Sequence, residues 1–359
     1  MKNKKQIIGF GAIFLIIAAA VTLLWPVNGY VESPGRADNL ANFVKIDGHQ
    51  DNGKGAYRIT SVYLSKANVF GYLKTKIDPH TAFETTADIT GDQDDATYAK
   101  IQNFYMQSAI ANAEQVAYSK ANQHVKLDYR GIYVLSVSDK STFKNKIEVG
   151  DTITKVDGHH FDNSTGYINY LADKKTGTAI TLTYQRDGKT ATAKGKTIKL
   201  PNTADKQYPK GRYGVGVTLT DDVQVTTNPK ITVDPGQIGG PSGGLMFSLQ
   251  MYDQLTGKNI RAGRNISGTG TIDAKGNVGE IGGIDKKIIA AKKAGSTVFF
   301  APYLEPTKEL LKYEENHQTN YQMAVATAKK YAPSVKVIPV RTFQDALNYL
   351  ENGTIIDTK

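Results

Sequence analysis

Ser242 stands in Gly236-Gln237-Ile238-Gly239-Gly240-Pro241-Ser242-Gly243-Gly244, a glycine-rich loop that leads into the mostly apolar stretch from Leu245 to Leu255. That stretch predicts a helix stopped by Gly257. A serine presented near a helix start lies among unpaired backbone N–H groups and at the positive end of the helix dipole, so the site can hold the oxyanion formed during acyl transfer. Glycines on both sides, Gly240 and Gly243, let a peptide backbone come close. Taken alone, the same serine could simply cap the helix.

A nucleophilic serine needs a base. The six histidines His49, His80, His124, His159, His160 and His317 lie mostly outside this region, and there is no cysteine, which removes thiolate nucleophiles, disulfides and cysteine zinc sites together. Lysine remains, provided that burial or neighbouring cations bring its pKa down so that the amine is neutral. Ile284-Asp285-Lys286-Lys287-Ile288-Ile289-Ala290-Ala291-Lys292-Lys293-Ala294, ending at Gly295, predicts a helix. At about 100° per residue, Ile284, Ile288 and Ala291 share a face; Lys287 lies roughly 60° from its centre, and Lys286 points nearly away. Lys287 is therefore the lysine expected to be desolvated and Lys286 the one expected to stay wet. Lys292 borders the same face on its other side, so periodicity narrows the choice without closing it.

The elements around this pair fall into segments. From about residue 30 to 125 the pattern mixes strands, such as the alternating Ala56-Tyr57-Arg58-Ile59-Thr60-Ser61-Val62-Tyr63, with a helix across Asp95 to Gln123 that contains no Gly or Pro and recurs apolar at Ile101, Tyr105, Ile110 and Ala113. This predicts a membrane-proximal module without chemistry of its own. The acidic run Asp88 to Asp95 lacks the ligand spacing of a calcium loop, so no metal site is expected.

From 126 to 200 strands shorten and Gly131, Gly150, Asp157-Gly158 and Asp187-Gly188 mark turns. Tyr129-Arg130-Gly131-Ile132-Tyr133-Val134, followed by Gly150-Asp151-Thr152-Ile153-Thr154-Lys155-Val156-Asp157-Gly158, resembles a PDZ domain. The resemblance implies that Tyr129, Arg130, Gly131, Ile132 and Tyr133 form the peptide-binding loop and groove strand, with Ser164 to Leu171 as the flanking helix. Gly188-Lys189-Thr190 and Gly195-Lys196-Thr197 lack the earlier glycine of a phosphate loop, so no nucleotide cofactor is expected.

Residues 211–350 mix strands and helices, giving an α+β domain and an α+β multidomain chain overall. Gly240-Pro241-Ser242-Gly243-Gly244, followed by Ile281-Gly282-Gly283-Ile284-Asp285-Lys286-Lys287-Ile288-Ile289-Ala290-Ala291, resembles the proteolytic domain of Lon peptidases. The resemblance implies that Ser242 is the nucleophile and Lys287 its base, with Thr269 of Thr269-Gly270-Thr271-Ile272 beside the lysine and Gly240, Pro241 and Gly243 supporting the loop. Two positions depart from it: Gly239 replaces a common acidic residue, and Gly243 replaces the usual alanine, a change expected to be sterically mild. The ATPase module of Lon is missing, which implies ATP-independent cleavage of peptides or flexible segments. The resemblance leaves room for a homo-oligomer.

The first residues decide the expected location. Lys2, Lys4 and Lys5, in a basic tail of residues 1–6, precede an uncharged, mostly apolar run over 7–25 closed by Pro26, long enough for a transmembrane helix. The positive-inside bias puts the N-terminus in the cytoplasm and the catalytic domain outside the cell membrane. A cleaved signal peptide, with Ala18-Ala19-Ala20 as small residues, is the competing reading, and it exports the chain equally. With this anchor, the chain resembles the membrane-anchored PDZ-Lon serine peptidases of Gram-positive bacteria, which implies peptide substrates, secreted signalling peptides among them. A non-catalytic peptide-binding scaffold is the alternative from another class. The net charge of +10 is spread along the chain, which predicts a solvated basic surface and not a nucleic-acid site.

Overall fold

The computed structural model describes residues 13–15, 17–91, 93–200, 208 and 211–358. The expected membrane span over 7–25 lies partly outside them. Its described part, within 13–24, is helical, and among the described residues no helix is long and apolar enough to cross a membrane.

Two long strands, β1 (Pro26–Asn39) and β2 (Ala56–Asn68), open the ordered chain, and β2 runs directly into the short helix α1 (Val69–Lys74). After the edge strand β3 (Ala82–Glu84) comes helix α2 (Asp95–Lys120), capped by the Asp94 carboxylate on Thr97 N–H at 2.8 Å. That helix ends three residues before the predicted limit, where Asn122 turns left-handed at φ 54°. Then follow β4 (His124–Val137), β5 (Thr152–Val156), helix α3 (Ser164–Ala172), β6 (Ala179–Arg186), β7 (Lys189–Lys196) and β8 (Val217–Asn228). The last part holds α4 (Gly244–Thr256), β9 (Asn265–Gly268), α5 (Ile284–Lys293), β10 (Val298–Pro302), α6 (Asn320–Tyr331), β11 (Lys336–Val340) and α7 (Phe343–Asn352).

These elements do not sort into the segments read along the chain. One six-stranded mixed sheet runs β11-β10-β9-β2-β1-β3, so the strands expected in a separate membrane-proximal module sit in the same sheet as those of the 211–350 segment. Strands β9 to β11 run parallel to one another and to β2, whereas β1 and β2 form an antiparallel ribbon. Helices cover both faces, as a sheet with parallel strands requires. On one face, Met106, Ile110, Ala113 and Ala117 of α2 join Leu245, Phe247 and Leu249 of α4 and Phe343 and Leu347 of α7 in the main core. On the other, Ile284, Ile288 and Ala291 of α5 pack with Met323, Ala324 and Ala328 of α6 over Phe299 and Ala301.

A five-stranded antiparallel sheet, β8-β4-β5-β6-β7, forms a second body with its own core around Phe143, Ile153, Tyr167, Ile180 and Leu182. Its strand β8 comes from beyond residue 200 and supplies the sheet edge. The two bodies meet where Tyr133 of β4 stacks on Phe104 of α2, ring centroids 3.6 Å apart.

Candidate active site

Pro241, Ser242 and Gly243 form one turn of 3-10 helix that continues into α4, so Ser242 stands at a helix start as its sequence implied. The loop before it turns at Gly240, whose φ of 86° few side chains tolerate. Helix α2 holds that turn from behind: the Gln102 carbonyl accepts the Gly240 N–H at 2.9 Å. On the far side, Gly270 N–H donates to the Ser242 carbonyl at 2.8 Å and Leu245 N–H to the Gly270 carbonyl at 3.2 Å. The serine backbone is thus tied to two separate elements.

Helix α5 brings Lys287 to this turn. Gly283, at φ 67°, starts the helix at a point where a Cβ would lie 2.7 Å from Glu32 Oε1 and 2.9 Å from Val62 Cγ1, so both its left-handed backbone and the nearness of the β1–β2 ribbon favour glycine there. The preceding loop is clamped by Asn320, whose side chain accepts from Ile281 N–H at 2.8 Å and donates to Ile281 C=O at 2.9 Å.

Lys287 Nζ lies 2.8 Å from Ser242 Oγ and 3.0 Å from Thr269 Oγ1. Lys287 is only 3% exposed, and this burial brings its pKa down to about 7, against the opposing pull of the Glu32 charge. Thr269 is fully buried, and its hydroxyl donates to the Ser242 carbonyl at 3.0 Å. With its proton directed there, the threonine oxygen has only lone pairs left for the lysine, so a neutral amine donates to Thr269 and turns its own lone pair towards Ser242. The arrangement can therefore take the serine proton. Pro241, Gly240 and Gly243 belong to the same turn, and Gly243 is packed tightly: a Cβ there would lie 2.3 Å from Ile59 Cδ1. An alanine at 243, expected to be a mild exchange, would instead overlap the Ile59 side chain, which must shift to admit it. A Cβ on Gly239 would meet Gln102 Cβ at 3.1 Å.

Lys286 corrects the helical-phase reading. It is 2% exposed, not wet, with Nζ 3.0 Å from Glu32 Oε2 and 3.2 Å from Asp285 Oδ1. Phase assigns a helix one buried face, but α5 is covered on two, by its sheet and α6 and by β1, which delivers Glu32. Lys292, the other candidate, reaches the Tyr331 carbonyl at 2.6 Å on the exposed side.

The expected peptide groove needs a larger correction. Strand β4, which carries Tyr129, Arg130, Gly131, Ile132 and Tyr133, pairs with β8 on one edge and with β5 on the other, through Ile132↔Ile153 and Tyr133↔Thr152. At Ile132 and Tyr133 it therefore has no edge free to accept a peptide. Tyr129 and Arg130 bond Asp221 and Asp222 of β8, and a Cβ on Gly131 would lie 2.2 Å from Ile153 O. The cavity lies instead between α3 and the start of β8: about 260 Å³, with Tyr167, Ile168 and Leu171 on one wall, Val215 and Leu219 on the other and Ile132 in its floor. Arg212 stands at its lining and Gly216, at φ 73°, turns the loop into β8. The loop lies beyond residue 200, outside the 126–200 segment expected to hold the groove.

Residues 114–197 match the PDZ domain family, and residues 219–333 match the Lon protease (S16) C-terminal proteolytic domain. The Lon protease of Clostridioides difficile is 24% identical over 224 residues, 58% of this chain and 27% of that protein. That of Neorickettsia sennetsu is 29% identical over 110 residues, 31% of this chain and 11% of that protein. The chain thus spans about a quarter or less of the length of these relatives. The solved PDZ domain of an SdrC-like protein from Listeria monocytogenes is 35% identical, with 26% of this chain and 92% of that structure covered and a TM-score of 0.23.

Proposed function

We propose that this chain, which carries a PDZ domain and a Lon-type proteolytic domain, is a serine endopeptidase with Ser242 as nucleophile and Lys287 as base. The observation that carries the reading is the 2.8 Å approach of a buried lysine, its pKa brought to about 7, to the serine hydroxyl. Neutral Lys287 takes the Ser242 proton as Oγ attacks the peptide carbonyl. Backbone N–H groups at the start of α4 stabilise the oxyanion. The ammonium then protonates the departing amine, and the C–N bond breaks to leave an ester on Ser242. Water, deprotonated by the same lysine, hydrolyses that ester and restores the enzyme. Thr269 orients the amine. Each step is a proton or acyl transfer and none consumes ATP.

The same reading extends to the whole chain. Residues 7–25 anchor it in the cell membrane with the catalytic domain outside, and the groove beside α3 takes peptides or flexible segments, secreted signalling peptides among them. Mass spectrometry of secreted peptides from cells carrying the wild-type chain or Ser242→Ala tests this. A peptide cut only by the wild type supports it. If folded Ser242→Ala and Lys287→Met variants still cut at the wild-type rate, the assignment is wrong; a wild-type chain that binds peptides and never cuts them is a scaffold.

A further inference from the structure

Strand β1 begins at Pro26, directly after the apolar helical segment, and β2 ends at Asn68, directly before α1; Pro26 and Asn68 are paired partners. Both segments therefore leave the ribbon at the same end. Val69 N–H of α1 donates to the Trp25 carbonyl at 3.0 Å, which fastens the two together. Around this junction large apolar side chains face solvent: Trp25 is 64% exposed, Phe70 58%, Leu73 51% and Ile77 84%. Ile77 lies in a turn that continues α1, its N–H on the Lys74 carbonyl at 3.1 Å. At about 100° per residue, Phe70, Leu73 and Ile77 fall within roughly 60° of one another, a single stripe. The opposite side of α1 is turned inward, with Tyr72 edge-on to Phe83 at 5.0 Å and Gly71 against Val31. Exposed Lys74 and Lys76 flank the stripe.

From this geometry we infer that the Phe70–Leu73–Ile77 stripe lies in the headgroup region of a phospholipid bilayer, beside Trp25, and forms a second membrane contact of the catalytic body. This rests on the anchored reading of residues 7–25. The occupant follows from continuity, since the stripe extends the exposed apolar side chains of Ile17, Val21 and Leu24 across a direct hydrogen bond. Its composition also suits that depth, with aromatic and aliphatic tips between lysines that can reach anionic headgroups. A consequence for the reaction follows. Glu32, which contacts the catalytic helix, is six residues along β1 from Pro26, at most about 20 Å at strand rise. The dyad is thereby held close to the membrane, within reach of a substrate segment a few extended residues outside it.

The chain has no cysteine, so single cysteines can be labelled cleanly. In full-length protein reconstituted into phosphatidylcholine–phosphatidylglycerol vesicles, Leu73→Cys, Ile77→Cys, Trp25→Cys and, at the exposed start of β7 in the second body, Lys189→Cys each carry an environment-sensitive fluorophore. Lipids bearing a nitroxide high or low on the acyl chain act as quenchers. The expected result is strong quenching at 25, 73 and 77, greater by the shallow nitroxide at 73 and 77, and none at 189. Quenching at 25 alone overturns the second contact and leaves the anchor standing. No quenching at 25 overturns the anchor, and the inference with it. Blue-shifted emission at 73 and 77 without lipid quenching means that protein, such as a second copy, covers the stripe, which also overturns it.

Discussion

The dyad and the α3 groove place their demands on different parts of the chain. At the proposed dyad the demand falls on side chains: the Lys287 amine lies 2.8 Å from the Ser242 hydroxyl and 3.0 Å from the Thr269 hydroxyl. At the groove, an edge strand and a left-handed glycine set the shape, and the wall side chains need only be apolar and about the right size. Two neighbouring lysines show what the first demand means. Lys286 and Lys287 are buried alike, yet Lys286 sits against two carboxylates and Lys287 against two hydroxyls. Burial without a direct carboxylate partner is what makes a base.

If side chains carry the dyad, removing them has the largest effect. Ser242→Ala and Lys287→Met should each lower kcat/KM for a cleaved peptide by about a thousandfold or more, read as fragment release by mass spectrometry. Lys287→Met should at the same time stabilise the fold by roughly 1–3 kcal/mol, because it removes a desolvated charge. The sign follows from the lowered pKa. Below about 7 the folded chain must hold a buried ammonium, so the cost is fully present there, and it disappears as pH rises towards the ordinary 10.5. The stability gain in the variant should therefore shrink in thermal melts at alkaline pH. Wild-type cleavage, which needs the neutral amine, should rise through about pH 7 to a plateau.

Glu32→Gln sharpens the contrast between the two lysines. The carboxylate holds the Lys287 pKa up and pairs with Lys286. Its loss should move the acid limb of the pH–rate profile to lower pH while costing about 1–3 kcal/mol of stability, with Asp285 left as the partner of Lys286. An unchanged limb would mean that Glu32 acts on Lys286 alone.

How much of this was legible in the sequence follows from the same division. Ser242 and a lysine base could be singled out because the chemistry restricts the residue type, and the glycines beside Ser242 because backbone must approach; the choice of Lys287 and the placing of Thr269 rest on the resemblance to Lon motifs. Lys286 was misread because a helical phase contains no information about which other strand crosses the helix, and Glu32 lies some 250 residues away. The fold was partly legible: α2, α4 and α5 follow from periodicity and stop signals, and the PDZ core from its turns. The joining of β1 and β2 to the catalytic sheet was not, because long-range pairing leaves no local pattern. Nor was the groove. It is built from backbone geometry in residues 212–219, and Gly131, the glycine expected to bind peptide, instead allows close passage by Ile153.

Gly243→Ala probes the backbone requirement inside the dyad itself. The added Cβ would come 2.3 Å from Ile59 Cδ1, so one of the two must shift. Overpacking of this kind costs about 1–3 kcal/mol, and displacing the 3-10 turn should lower cleavage roughly tenfold. Ile59→Val removes the clashing methyl, and the double variant should recover most of both losses in melts and in kcat/KM. Failure to recover would assign the defect to the serine backbone and not to the contact.

The smallest expected effect tests the groove. Gly216→Ala puts a side chain at φ 73°, with its Cβ 2.9 Å from Ile198 Cδ1 and 3.1 Å from Ser141 Cβ. Strain of about 1 kcal/mol should distort the loop into β8 and weaken binding of an apolar-ended peptide about fivefold, measured by fluorescence anisotropy. Tyr129→Phe, by contrast, should leave binding unchanged, because Tyr129 faces Asp221 of β8 and does not line the groove. A peptide short enough to reach the dyad without the groove should be cut at the wild-type rate in both variants. Were Tyr129→Phe the one to lose binding, the peptide would lie along β4, and the division between a site made of side chains and one made of backbone would fail.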